Sequence, residues 1–220
     1  MSYASRQVNS PMGAREFHDG AKDGFEALEP LNPDAIRSFD DLLVAMRKTA
    51  FGGRRLGEAY EVLWAMIEDP ECSVVMTLSG AMTIAKMGKI VSSMIDHGMV
   101  QCVVSTGALI AHGLSESVGK THYRVPPSVS DEELFQKGYN RVYDTLEMEA
   151  NLNYVEHVVG QTMKRISPDQ PLSSEMLTRE LGRTLAEGFD GDGILKSAYV
   201  KKVPVYIPAF TDSEMGLDVG

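Results

Sequence analysis

Residues 73–107 read SVVMTLSGAMTIAKMGKIVSSMIDHGMVQCVVSTG, and the period of their apolar positions changes twice. Ser73 to Leu78 is a short β-rich run ending in Ser79-Gly80, the pattern of a buried strand. From Met82 to His97 the residues Ile84, Met87, Ile90, Val91, Met94 and Ile95 share one helical side, and Gly98 supplies a stop. Met99 to Val104 is a second apolar run, closed by Ser105-Thr106-Gly107. Strand, helix and strand within about 35 residues form a βαβ unit, and its expected geometry is a right-handed parallel crossover.

Working outward, the upstream chain supplies two helices. Ser38 with Asp40 and Asp41 starts the first, Phe51-Gly52-Gly53 breaks it, and a second is expected from about Leu56 to Glu68, ended by Asp69-Pro70. Residues 1–35 carry Pro11, Pro30 and Pro33 without a sustained period and read as an N-terminal arm. Downstream, Ser130-Asp131-Glu132-Glu133 enters one helix, and a long helical stretch is expected from about Leu146 to Lys164. Ser173 opens a third helix, Ile194 to Lys201 forms a fourth, and Val203 to Pro208 reads as a third strand. The expected fold class is α/β, a Rossmann-like parallel sheet flanked by helices, with residues 36–220 as one domain.

Composition bounds the partners. The chain has 220 residues, 43% hydrophobic and 24% charged, enough to bury a core. Lys and Arg number 21 against 31 Asp and Glu, a formal charge of −10, which argues against a nucleic-acid phosphate tracker. No apolar run approaches the ~18 residues of a membrane span, and MSYASRQVNSPMGAREF has no apolar signal core, so neither membrane nor export is expected. Cys72 and Cys102 make no disulfide framework, and no pair has metal-ligand spacing. The expectation is a reduced cytoplasmic protein without a metal site, in which Cys102 is a buried, inert thiol.

In open parallel sheets ligands sit outside the carboxyl ends of the strands. Three such ends carry suitable residues: Thr77 to Gly80, Val104 to Ala108, and Phe210 to Glu214. The first two are hydroxyl-and-glycine turns able to hold a phosphate at a helix N-terminus, and the third sets an acid beside a strand end. Ordinary caps and turns use the same residues, and neither common nucleotide fingerprint is present. Among the histidines, His112 is either a pocket group or a structural one, and His122 is expected to pack a loop.

At this point the sequence resembles the deoxyhypusine synthase family. The resemblance is carried by TLSGAMTIAKMGKIVSSMIDHGMVQCVVSTGALIAHGL at 77–114, FGGRRLGEA at 51–59, GKTHYRVPPSVSDEELFQKGYNRVYD at 119–144 and VPVYIPAFTDSEMG at 203–216. It implies an NAD-dependent aminobutyl transferase, a homotetramer with sites between subunits. NAD takes a hydride from spermidine or a related polyamine, and the imine passes to a protein lysine or a small amine. By resemblance, NAD-binding residues fall on Ser79, Gly80, Ala81, Met82 and Thr83, on Thr106, Gly107 and Ala108, and on Asp212.

The departures from that family also bear on function. Ala111-His112 stands where eukaryotic members carry two adjacent glutamates, making His112 a substrate-pocket residue. The substrate aspartate aligns with Leu217, leaving Asp218 and Glu214 as the substrate-binding acids. The family's catalytic lysine and the second half of its cofactor site fall beyond Gly220, so no catalytic residue is assigned. Two alternatives stay open: a non-catalytic NAD-binding subunit whose partner chain carries the lysine, and a homospermidine synthase-type enzyme using a different amine.

Overall fold

A computed structural model describes residues 17–219. The chain divides into two compact units, Met1–Glu68 and Asp69–Gly220. The first two helices belong to the first of these units.

In the first unit, α1 (Phe39–Arg47) is capped by Ser38, whose hydroxyl accepts from the Asp41 amide at 3.1 Å. Helix α2 runs Phe51–Glu68, beginning earlier than the expected Leu56. Phe51 takes the left-handed reversal itself, with φ 54°. Gly52 and Gly53 then sit in the first helical turn, where a Cβ on Gly53 would come within 2.8 Å of the Thr49 hydroxyl. The glycine pair starts α2 rather than separating the helices.

The second unit is built on a parallel sheet of β1 (Val75–Thr77), β2 (Cys102–Val104) and β6 (Val205–Tyr206), in the order β1-β2-β6. Val75 pairs with Cys102 and Val103 with Val205. Pairing continues past the strand ends, because the Leu78 amide donates to Val104 O at 2.9 Å and the Ser105 amide to Tyr206 O at 2.8 Å. Those bonds fix the start of the loops at the carboxyl edge. Helices α3 (Gly88–Asp96), α4 (Gly107–Ser117), α7 (Ser174–Gly188) and α8 (Ile194–Lys201) flank the sheet. Val103, Ile95, Leu109, Leu177, Leu181 and Leu185 are fully buried among them. The hydroxyl of Thr178 on α7 donates to Val205 O at 2.8 Å, tying that helix to β6. Cys102 is half-buried and free, a correction to the sealed thiol expected, since its short strand leaves one face uncovered.

Three further expectations are corrected. The helix expected from Met82 begins at Gly88, because Lys86 adopts a left-handed φ of 66° and ends a separate turn over residues 81–86. That turn is pinned elsewhere: the buried Thr83 hydroxyl donates to Leu109 O on α4 at 2.6 Å. The helix expected from Leu146 begins only at Glu149, as α6 (Glu149–Met163). Leu146 instead belongs to a second, antiparallel sheet of β3 (Tyr123–Arg124), β4 (Tyr139–Val142) and β5 (Thr145–Met148), ordered β3-β5-β4. Helix α5 (Asp131–Gln136) precedes β4 and carries a full capping box between Ser130 and Glu133. Finally, the segment after β6 is no open loop. A 3-10 turn, Phe210–Asp212, leads into α9 (Glu214–Val219), whose buried Met215 anchors it.

Candidate functional site

The carboxyl ends of the three parallel strands enclose a pocket of about 500 Å³. Thr77, Ser79, Thr106 and Ser213 are among its lining residues, together with Gly107 and Ala108. Thr106 is the N-cap of α4 but makes no side-chain capping bond. The first amides of α4 therefore have no intrahelical partner, and they open on the pocket with the positive end of the helix dipole. Position 107 must lack a side chain, because a Cβ there would strike the Cβ and hydroxyl of Ser213. Ser213 is held in that place by donating its hydroxyl to Phe210 O at 2.5 Å. A second cavity of similar volume lies near Pro204, at the amino end of β6, away from these loops.

Of the residues expected to hold a cofactor, Ser79, Thr106, Gly107 and Ala108 line the pocket. Gly80 takes the left-handed turn after β1, with φ 71°. Ala81 and Met82 are exposed beyond it, and Thr83 is buried in its bond to Leu109. The backbone of Asp212 belongs to the 3-10 turn, and its side chain lies outside the described residues.

A polar cluster lies behind the pocket, where α4, β5 and the residue before β3 meet. Glu147 on β5 has a side chain only 1% exposed. Its Oε1 accepts from the Ser115 hydroxyl at 2.6 Å, and its Oε2 pairs with His112 Nδ1. His122, with a side chain 0% exposed, brings Nε2 to 3.1 Å from Oε1. That approach is off the line a hydrogen bond needs, so Nε2 makes an electrostatic contact there but no hydrogen bond. On the other side of the ring, Nδ1 lies 3.0 Å from Lys86 Nζ and 3.4 Å from Glu116 Oε1, and Lys86 and Glu116 pair with each other.

The electrostatics follow from this packing. Burial pushes the Glu147 carboxyl up, but the two imidazoles and the Ser115 hydroxyl outweigh it and hold it down at about 2. The bond to Glu147 raises His112 against the opposing effect of burial. On α9, burial and the charge of Asp218 push Glu214 above the ordinary carboxylate range, while His112 pulls it back. Asp218 is raised by burial and by Glu156. Helix α9 packs on both α4 and α6, so Glu214, Asp218 and His112, expected as substrate residues, belong to neighbouring elements. Sequence reasoning missed Glu147 and Ser115, and read His122 only as loop packing.

Comparisons with known proteins agree with this architecture. The family model for deoxyhypusine synthase matches residues 41–219. The "Probable deoxyhypusine synthase 2" of Methanosarcina acetivorans is 36% identical over 184 residues, covering 82% of this chain and 52% of its own. Its namesake from Archaeoglobus fulgidus is 34% identical over 172 residues, covering 78% and 57%. The "Deoxyhypusine synthase-like protein" of Coxiella burnetii is 31% identical over 186 residues, covering 82% and 53%. The chain thus spans about half the length of the curated relatives it matches. A solved structure of a candidate deoxyhypusine synthase from Entamoeba histolytica covers 87% of this chain and 65% of its own, with a TM-score of 0.60. At 14% identity that likeness is one of fold.

Proposed function

The chain belongs to the deoxyhypusine synthase family, and from that premise we propose that it binds NAD at the carboxyl ends of β1, β2 and β6 and takes part in aminobutyl transfer from spermidine or a related polyamine. The observation that carries this reading is the uncapped first turn of α4, opening with Gly107 on the pocket. Amides and a helix N-terminus suit a phosphate, the missing Cβ permits close approach, and the hydroxyl residues of the lining suit phosphate oxygens or a ribose. Bound NAD would supply a hydride acceptor for the carbon beside the amine nitrogen.

The chain's own residues divide the remaining work. The amides of Gly107 and Ala108 bind and orient the anion, while Leu78, Val104, Pro208 and Ala209 give the pocket a drier wall. Glu214 and Asp218 offer negative charge to the substrate's ammonium groups. Burial first and a neighbouring carboxylate second lift their pKa values, and an ammonium beside them would offset both. No described lysine is assigned to attack the imine, and its acceptor is a protein lysine or a small amine. A homotetramer with sites between subunits fits the family, as does a cytoplasmic location. Among the described residues no helix is long and apolar enough to cross a membrane.

A second reading keeps the chemistry and changes the amine, as in homospermidine synthesis. His112 favours it: an imidazole whose pKa is raised by Glu147 stands where the family resemblance puts an acid, which would remove an ammonium partner.

The experiment is incubation of the protein with NAD and, in separate reactions, spermidine, putrescine or agmatine as the sole amine, followed by assay of bound NAD and analysis of amines. Release of 1,3-diaminopropane supports the spermidine reading. Aminobutylated products from putrescine or agmatine, without diaminopropane, support the second. NAD binding with no amine product would point to a non-catalytic subunit, and absence of NAD binding would sink the proposal.

A further inference from the structure

Side chains from three elements converge behind the pocket. His112, His122 and Glu147 each offer one ligand atom, and these atoms lie within 4.8 Å of one another. The side chains of His122 and Glu147 are 0% and 1% exposed, and that of His112 is 19% exposed. None of the three lines the carboxyl-end pocket, so a site built on them is spatially separate from it.

The hydrogen bonding of this cluster is incomplete. A neutral imidazole has one N–H and one lone pair. If His122 carries its proton on Nε2, that N–H faces Glu147 Oε1 at 3.1 Å but off line. If the proton is on Nδ1, it has Glu116 Oε1 at 3.4 Å, and a bare Nε2 lone pair faces a buried carboxylate. Both arrangements leave Nε2 unsatisfied inside the protein, where an unpaired polar group is costly. A cation between Nε2, His112 Nδ1 and the carboxylate resolves it, replacing the proton that His112 and Glu147 share.

We propose that His112, His122 and Glu147 form a binding site for a divalent first-row transition-metal ion, with Zn²⁺ the ion the donor set suits best. Two imidazoles and one glutamate form a ligand set that zinc uses where a fourth position stays open to water or substrate. The outer groups match the arrangement that orients metal ligands. Ser115 Oγ donates to Glu147 Oε1 at 2.6 Å, and Glu116 backs Nδ1 of His122. Among the described residues, Lys86 is the cation against this ring, 3.0 Å from Nδ1. Its side chain is 47% exposed and already paired with Glu116, so it can leave Nδ1 when that atom takes up the proton. The exposed part of His112 provides the way in.

The test is titration of the chelator-treated 220-residue chain with Co²⁺, followed by the visible absorption of a low-symmetry site. The expected result is one equivalent bound, displaced by Zn²⁺. Glu147→Gln and His122→Gln should each weaken Co²⁺ by at least about 100-fold, and Glu116→Gln by about 10- to 100-fold. Circular dichroism checks that each variant is folded. Should the two buried substitutions unfold the chain, His112→Asn reads the same site from its partly exposed side. Failure of the native chain to bind one equivalent overturns the proposal. So does binding that folded His112→Asn or Glu147→Gln leaves unchanged, since the ion then sits elsewhere.

Discussion

Ser213 occupies the space that any side chain at position 107 would need. The loop after β2 and the turn after β6 therefore meet through a glycine and a serine, and that meeting closes one wall of the carboxyl-end pocket. Gly107→Ala should displace Ser213 and weaken NAD binding by about 10-fold or more, with a stability loss of about 1–3 kcal/mol from overpacking. Adding Ser213→Gly should recover much of the stability, because the next atom near the new Cβ is Phe210 O at 3.8 Å. Urea unfolding of both variants checks this.

Thr83 pins the turn after β1 onto α4 through its buried bond to Leu109 O. Thr83→Val keeps the shape and removes the donor, leaving Leu109 O with only its place in the α4 hydrogen-bond ladder. The expected loss is about 0.5–1.5 kcal/mol in unfolding free energy, read by chemical denaturation. A loss close to zero would mean that water reaches Leu109 O.

Glu214 and Asp218 give a pH dependence whose sign is opposite to that of a salt-bridged acid. Both carboxyls are raised in the folded chain, so the folded state holds their protons more tightly than the unfolded one. Their contribution to stability is fully present below the unfolded values and is lost as pH climbs through the raised folded ones. Asp218→Asn removes a charge that lifts Glu214, so it should stabilise the chain at neutral pH and flatten this loss. The same substitution should weaken polyamine binding. Denaturation midpoints across the acid range, with an amine titration at neutral pH, check both effects.

Much of the second unit was legible because its period changes are sharp. The runs at Ser73 to Leu78 and Met99 to Val104 each contain an observed strand, and Ile194–Lys201 is a helix with the bounds expected. The β4–β5 hairpin was not legible. Its strands have four residues each, and its turn uses Tyr143 at φ 58° in place of a glycine or asparagine. Glu147 suffered from the same misreading, because a carboxylate within a supposed helix reads as a solvated face. Its partners His112 and Ser115 lie 35 and 32 residues away in sequence, and only β5 brings them together. The strand-end loops were easier, since hydroxyl and glycine residues at a strand's carboxyl end mark a ligand edge before any contact is known.

The most direct measurement is native mass spectrometry of the chain with and without NAD, alongside Gly107→Ala. The account predicts NAD bound to each protomer of the native chain and its loss in the variant. Spectra of the native chain that are the same with and without NAD would contradict it.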